Sequence, residues 1–225
     1  MNARPTHKLL ATTFLVSLSA TLSAQSPEPA PPAGETKIQV FVYNYAAVAP
    51  ATLARAERLA GRIYGHVGIQ TEFLDCPLTP AEAAQFPACQ LPVAPSRLAL
   101  RVLSRTMSER IGLTQATFGS ALFPPDGGLG MIAQVCAYCS EQMAKGSEEM
   151  YAVILGHIMA HELGHLLLGV GSHGATGLMH VPWNHKELDM AAQGTLLFTS
   201  WEAERMRRNA AERIAASSTL QVAGK

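Results

Sequence analysis

One stretch of the sequence decides the fold: residues 147–169 read SEEMYAVILGHIMAHELGHLLLG. Apolar residues occupy almost every face of a helix from Met150 to Leu168, so we expect a central, buried helix. Ser147 predicts the N-cap, and the two glutamates that follow it suit the positive end of the helix dipole. Gly169 predicts the end of the helix. The rest of the chain should therefore pack around this segment.

The polar side chains of this helix are few, and burial makes each of them costly unless it has a partner. His161 and His165 are four residues apart on one face, so their rings can converge on a single ion. Glu162 lies beside that face. In a His-Glu-x-x-His helix two neutral imidazoles hold Zn²⁺, and the glutamate is the general base for a water that the zinc activates. We therefore expect one catalytic Zn²⁺ ion; packed core histidines beside a hydrogen-bonded glutamate are the alternative.

A catalytic zinc site needs a third protein ligand and an open position. His173 follows two glycines that would let the chain leave the helix and turn back. Glu187 is the alternative, because a glutamate completes a site of two histidines in the thermolysin-like plan. His180 and His185 are weaker candidates. His157 is expected to be a hydrogen-bonded core residue, because three histidines at four-residue steps span about 12 Å.

These residues resemble the metzincin clan of zinc peptidases, in which His-Glu-x-x-His-x-x-Gly-x-x-His is followed by a methionine turn under the metal. In this chain the glycine comes one position late, at Gly169, and the third histidine two positions late, at His173. The resemblance implies His173 as the third ligand and Met179 as the methionine of the turn. It also implies that an extended substrate pairs with the strand before the active-site helix, around Leu129 to Val135. The chain further resembles secreted bacterial metalloproteases with a His-Glu-Leu-Gly-His helix and a nearby Ser-His.

The expected function is that of a zinc-dependent metallopeptidase that hydrolyses peptide bonds in a peptide or protein substrate, with Glu162 as the catalytic residue. The residues support zinc hydrolysis more directly than they support a peptide substrate. A zinc hydrolase of another amide, such as a cell-wall cross-bridge, is therefore an alternative. A non-catalytic secreted protein that binds a partner through zinc is another. Glu162 argues against that last possibility, because a structural zinc site is closed by a fourth ligand and needs no base.

The N-terminus is typical of a secretory signal peptide over residues 1–24. Arg4 and Lys8 supply its positive charge, Leu9 to Leu18 its apolar region, and Leu22-Ser23-Ala24 its cleavage site. The apolar stretch is short for a membrane anchor. We therefore expect a secreted or periplasmic protein with no stable membrane association after cleavage.

Charge gives no sign of a nucleic-acid partner. The full chain has 17 basic and 17 acidic residues, and loss of the leader removes two bases, so no basic surface is expected. The oligomeric state leaves no mark in the sequence.

The four cysteines all lie after the predicted leader, where an oxidising compartment favours disulfides. We expect Cys76 to pair with Cys89 and Cys136 with Cys139. The Cys-x-x-Cys of the second pair could instead be half a zinc site or a redox motif. The sequence contains no second Cys-x-x-Cys to complete such a zinc site.

Hydrophobic periodicity predicts strands in the first half of the chain and helices in the second. We expect a Pro/Ala-rich linker over residues 25–35, a catalytic domain over 36–218 and a flexible tail over 219–225. The expected class is α+β (or an α/β sandwich), in which a mixed, twisted sheet of four to five strands packs on a first helix and the central zinc-binding helix, with a C-terminal helix. The predicted strands are 38–45, 69–74, 98–103, 117–123 and 129–135, the last two flanking a turn at 124–128, and the outer helices are 50–65 and 199–216.

Overall fold

The computed structural model describes residues 36–114 and 116–223, with side chains described as far as residue 219. The predicted signal peptide and linker lie outside the described residues. The strands are β1 (Lys37–Asn44), β2 (Gln70–Cys76), β3 (Arg97–Leu103), β4 (Gly119–Leu122) and β5 (Ile132–Cys136). The helices are α1 (Pro50–His66), α2 (Pro80–Ala83), α3 (Arg105–Arg110), α4 (Ala137–Ala144), α5 (Glu148–Leu168), α6 (His185–Ala192) and α7 (Ser200–Ala223), and a 3₁₀ turn spans Pro87–Gln90.

The five strands form one mixed sheet in the order β2-β1-β3-β5-β4. β1, β2, β3 and β5 are parallel, and β4 runs antiparallel to β5. Half of the residues of β1 and five of the seven residues of β3 are buried, as expected of parallel strands covered on both faces. The predicted α+β class, the mixed sheet and the turn between its last two strands are confirmed.

The prediction that an extended substrate would find a free strand edge around Leu129 to Val135 is wrong. β5 pairs with β3 on one side and with β4 on the other, so neither of its edges is free. The outer strand on this side of the sheet is β4, the first strand of the hairpin. Chain order misled here, because the hairpin folds its earlier strand to the outside.

The central helix α5 begins and ends where the sequence predicts. Ser147 caps it by accepting a hydrogen bond from the Met150 backbone N–H, and Gly169 follows its last residue. Gly156 lets α1 approach closely, because a β-carbon there would lie 2.7 Å from the Ala56 carbonyl oxygen. Among the described helices α5 alone is long and apolar enough to cross a bilayer, but 83% of that apolar window is buried in the domain. It is therefore the core helix that the sequence predicts.

The C-terminal helix α7 begins with the predicted capping box, in which Thr199 and Glu202 exchange side chain–backbone hydrogen bonds. It packs on α5 and β1. The helix continues to Ala223, so the segment predicted as a tail from residue 219 begins as helix. Near this end the Ser217 hydroxyl accepts hydrogen bonds from the backbone N–H and the hydroxyl of Ser96, which precedes β3.

Three short helices, α3, α4 and α6, were not predicted, and neither were α2 and the 3₁₀ turn, which lie between β2 and β3. Each of these helices is at most eight residues long, too short for an amphipathic pattern to show. Two disulfides join the predicted pairs, Cys76 with Cys89 and Cys136 with Cys139.

Candidate metal centre

The C-terminal half of α5 carries His161, Glu162 and His165, which line a cavity. His161 and Glu162 are each only 5% exposed. A helix buried this deeply can carry ionisable groups only where they are neutral or have partners. What each of these side chains contacts therefore decides what the site can do.

The tautomer of His161 follows from a single contact. Its Nδ1 lies 2.8 Å from the backbone carbonyl oxygen of Leu178. Because a carbonyl oxygen can only accept a hydrogen bond, Nδ1 must carry the ring proton. The Nε2 atom of the neutral ring is then a bare lone pair, which is the form that binds a metal.

His165 adopts a matching orientation. Its Nδ1 lies 2.8 Å from the hydroxyl oxygen of Ser172, and its Nε2 lies 3.1 Å from the Nε2 of His161. Two nitrogens bound to one tetrahedral Zn²⁺ at about 2.0–2.1 Å would be about 3.3 Å apart. The spacing of the two rings therefore fits a shared zinc ion.

His173 completes the group from the loop that follows α5. Ligand atoms of His161, His165 and His173 all lie within 4.8 Å of one another, so the three side chains could hold a metal ion. Burial lowers the pKa of His161 to about 4 and that of His165 to about 3. Both rings are therefore neutral at pH 7, as ligands must be.

Glu162 lies beside the three histidines but outside their cluster. Burial raises the pKa of its carboxyl group to about 8, which favours the protonated form near neutral pH in the metal-free protein. Its side chain also lines the cavity. A carboxyl group in this position can exchange a proton with a molecule that enters the cavity.

Met179 is fully buried and lies close to Gly164 of α5. A β-carbon on Gly164, the glycine of His-Glu-Leu-Gly-His, would lie 3.0 Å from the Met179 sulfur. The glycine thus allows the methionine to pack directly against the turn of α5 that bears the histidines. Leu178, the residue before the methionine, supplies the carbonyl that orients His161.

The cavity beside the site has a volume of about 340 Å³. Backbone and small side chains of β4 (Gly119, Ser120 and Ala121) form one wall. Trp183 meets the His161 ring edge-on, with ring centroids 6.0 Å apart. The remaining wall is largely apolar and includes Phe118, Ile158 and Val181. An extended chain with an apolar side chain could occupy such a space.

Sequence reasoning noted the Ser-His pair but gave Ser172 no role, and it missed Trp183 and β4 as parts of the site. Ser172 directly precedes His173, so a hydroxyl next to a candidate ligand was the available signal. No comparable signal marked β4, because its contact with α5 depends on the strand order.

The other candidate ligands lie elsewhere among the described residues. Glu187 belongs to the capping box of α6 and accepts a hydrogen bond from the Asn184 backbone N–H at 3.0 Å. His180 is 4.0 Å from Glu187, and His185 is exposed at the start of α6. His157 is fully buried, with its Nδ1 2.8 Å from the Val153 carbonyl oxygen.

Comparison with known proteins supports the fold. A zinc-dependent peptidase from Methanocorpusculum labreanum (strain Z) has a similar structure, with a TM-score of 0.50 and 15% sequence identity over 74% of this chain and 99% of that one. An archaemetzincin from Methanopyrus kandleri gives a TM-score of 0.47 at 16% identity, over 77% of this chain and 96% of its own. No family model and no curated protein matches the sequence. At this identity the likeness shows a shared fold, which is that of a structure described as a zinc-dependent peptidase.

Proposed function

We propose that this chain is a secreted zinc-dependent metallopeptidase. The observation that carries the proposal is the convergence of His161, His165 and His173 beside the buried carboxyl group of Glu162. A purely structural zinc site has four protein ligands and no need of a base. Here three histidines leave one coordination position open, and a cavity adjoins it.

In this proposal His161, His165 and His173 bind one zinc ion. Zinc in this position would polarise the scissile carbonyl group and make water a strong nucleophile at neutral pH. Leu178 and Ser172 fix the ring orientations of His161 and His165 through their contacts with the two Nδ1 atoms. Met179 forms the floor under these rings, as the methionine of the turn.

Glu162 acts as the general base. Its carboxylate accepts the proton of the attacking water and then donates it to the amine that leaves. Apolar neighbours exclude bulk water from this exchange, and their burial of the carboxyl group is what raises its pKa in the metal-free protein. A nearby cation would oppose that rise and keep the group ionised, ready to accept a proton.

The substrate is a peptide or protein whose main chain adds to β4. This strand pairs with β5 on one side only, and its residues line the cavity. Addition of an extended peptide to an exposed strand edge uses main-chain hydrogen bonds, which do not depend on sequence. Apolar residues around Trp183 would then select a side chain of the peptide.

Secretion is part of the proposal and has separate support. Residues 1–24 fit a signal peptide and residues 25–35 a linker, which leaves 36–218 as the catalytic domain. Both disulfides suit an oxidising compartment outside the cytoplasm.

A digest of a peptide library tests the function directly. The purified protein should cleave members of the library, lose that activity in a chelator, and regain it when zinc is restored. A Glu162→Gln sample prepared in parallel controls for contaminating peptidases. The opposing outcome is a zinc-loaded protein that cleaves no peptide of the library but cleaves a cell-wall cross-bridge amide. That result would contradict the proposal of a general peptidase and support a zinc hydrolase of that amide.

A further inference from the structure

The outer strand β4 begins at a glycine that touches the proposed base. A β-carbon built on Gly119 would lie 2.5 Å from Cγ and 2.6 Å from Cδ of Glu162. Real β-carbons do not come that close to other carbon atoms, since dispersion contacts are optimal at about 3.5–4.0 Å. The bare Cα of Gly119 therefore packs directly on the Glu162 side chain.

The space around Gly119 is closed on a second side. The same β-carbon would lie 2.5 Å from the backbone carbonyl oxygen of Gln134. Gln134 belongs to β5, which is held by β3 as well as by β4. Glu162 belongs to the buried helix α5. Because neither β5 nor α5 can move without a cost in free energy, any side chain at position 119 must shift β4 outward or displace the carboxyl group of Glu162.

Gly130 offers an internal comparison. A β-carbon there would meet the Leu122 carbonyl oxygen at 2.7 Å, and side-chain atoms of Leu166 and Phe123 at 2.9 Å. This glycine is crowded too, although less tightly than Gly119, and it also contacts the backbone of β4. None of the three atoms nearest to that β-carbon belongs to Glu162. The two positions therefore separate crowding against β4 from contact with the proposed base.

We propose that Gly119 is a positioning residue that fixes the Glu162 carboxyl group against the edge of β4. The same strand would then align both the bound peptide and the base that serves it. The catalytic consequence rests on the proposed function, whereas the contact between the two residues does not. A merely structural glycine would affect stability regardless of the side chain at position 162.

Turnover tests the catalytic part. Gly119→Ala should lower kcat about 100-fold, the scale of a base misplaced by about 1 Å, with KM and zinc affinity changed only a few-fold. Glu162→Asp shortens the side chain by one methylene and makes room for the new β-carbon. If the two substitutions acted independently, the fold-losses in kcat of the single variants would multiply. The double variant Gly119→Ala/Glu162→Asp should have a higher kcat than that product predicts.

Thermal unfolding tests the contact without any assay of activity. Gly119→Ala should lower the Tm of the zinc-loaded full chain by roughly 4–8 °C, and Glu162→Ala in the same chain should restore at least half of that loss. Gly130→Ala is the matched control, and its loss should be unchanged by Glu162→Ala. If the Gly119→Ala variant does not fold, the double variant Gly119→Ala/Glu162→Ala is tested instead. Folding of that double variant would show the same coupling between the two positions.

Additive Tm losses for Gly119→Ala and Glu162→Ala would overturn the inference, whether or not the protein cleaves peptides. Coupled losses at Gly119, with additive losses at Gly130, would support it. Coupled losses in a protein without any hydrolase activity would leave the contact in place and overturn the proposed function instead. The two failures are thus distinguishable.

Discussion

Arg213 of α7 and His161 of α5 are both almost completely buried, at 2% and 5% exposure, but they face different surroundings. The guanidinium group of Arg213 donates hydrogen bonds to the carbonyl oxygens of Pro95, Gly130 and Leu166. His161 uses one nitrogen for a carbonyl oxygen and directs the other toward His165. We call the first region the arginine cluster and the second, with His165, His173 and Glu162, the histidine site.

The arginine cluster is largely closed, because the two terminal nitrogens of Arg213 donate to fixed backbone acceptors from three segments of the chain, although its buried Nε has no partner among the described residues. No carboxylate among the described residues forms an ion pair with Arg213, and burial lowers its pKa to about 10. The histidine site is open, because lone pairs converge on one point beside a cavity. Burial of a polar group therefore does not by itself identify a functional site. What separates the two regions is that ligand atoms of three histidines lie within 4.8 Å of one another in the histidine site, beside a cavity.

Removal of one histidine from the histidine site should weaken the binding of zinc. His173→Ala should weaken zinc affinity by more than the roughly 10- to 100-fold that loss of an outer-shell partner costs. Glu187→Ala should leave the affinity within a few-fold, because that side chain caps α6. Competition with a chromophoric chelator measures both. Loss of zinc in Glu187→Ala with retention in His173→Ala would reverse the ligand assignment.

Loss of the arginine should change stability instead. Arg213→Met keeps an apolar chain of similar reach but removes the donor to two buried carbonyl oxygens, of Gly130 and Leu166, and to the half-buried carbonyl oxygen of Pro95. We therefore expect the free energy of unfolding to fall by about 3 kcal/mol. Zinc affinity of the folded protein should stay the same. Denaturant unfolding provides the measurement. Arg207→Met is the matched control on α7, since Arg207 is exposed and donates to a single carbonyl, and it should cost less than about 1 kcal/mol.

Ser172 tests whether the histidine site depends on its supporting contacts. Ser172→Ala removes the hydroxyl that contacts Nδ1 of His165, so zinc affinity should fall by about 10- to 100-fold. Ser172→Thr keeps a hydroxyl and should retain most of the affinity. Equal zinc affinity in the wild-type and Ala proteins would show that this contact does not orient the ring.

The smallest expected effect is a pH dependence in the metal-free protein. The pKa of Glu162 is raised from 4.5 to about 8, so the stability that neutral Glu162 contributes is fully present below pH 4.5 and is lost as the pH rises through 8. Glu162→Gln removes this titration. We compare the free energy of unfolding of the metal-free Gln variant with that of the metal-free wild type. The difference, variant minus wild type, should be larger at pH 8.5 than at pH 5 by at least about 1 kcal/mol.

Arg213 does not titrate in that window, so the arginine cluster should contribute nothing to the difference. Denaturant unfolding at several pH values, in the presence of chelator, supplies the data. A constant difference between the two proteins from pH 5 to 8.5 would contradict the raised pKa.

The sequence predicted what depends on local pattern. The bounds of α5 follow from Ser147, a continuous apolar run and Gly169, all within one segment. The shared face of His161 and His165 follows from helical periodicity alone. The start of α7 follows from its capping box, and the hairpin from the turn residues between its strands.

Features that depend on long-range packing were not predictable. The position of β4 outside β5 is set by which strand pairs with β3, and nothing within the hairpin encodes it. Arg213 lies on a helix whose other arginines are exposed or half-buried, so nothing in the sequence marked it as a buried residue. The contact of Gly119 with Glu162 joins residues from different elements, and only the folded arrangement reveals it.

Zinc content and turnover of Glu162→Gln test the central claim most directly. The amide keeps the shape of the side chain but cannot accept the proton of the attacking water. We expect one zinc per chain at wild-type affinity and a kcat/KM lower by about 1,000-fold on any peptide that the wild type cleaves. Wild-type turnover by the zinc-loaded Gln variant would contradict the assignment of Glu162 as the base.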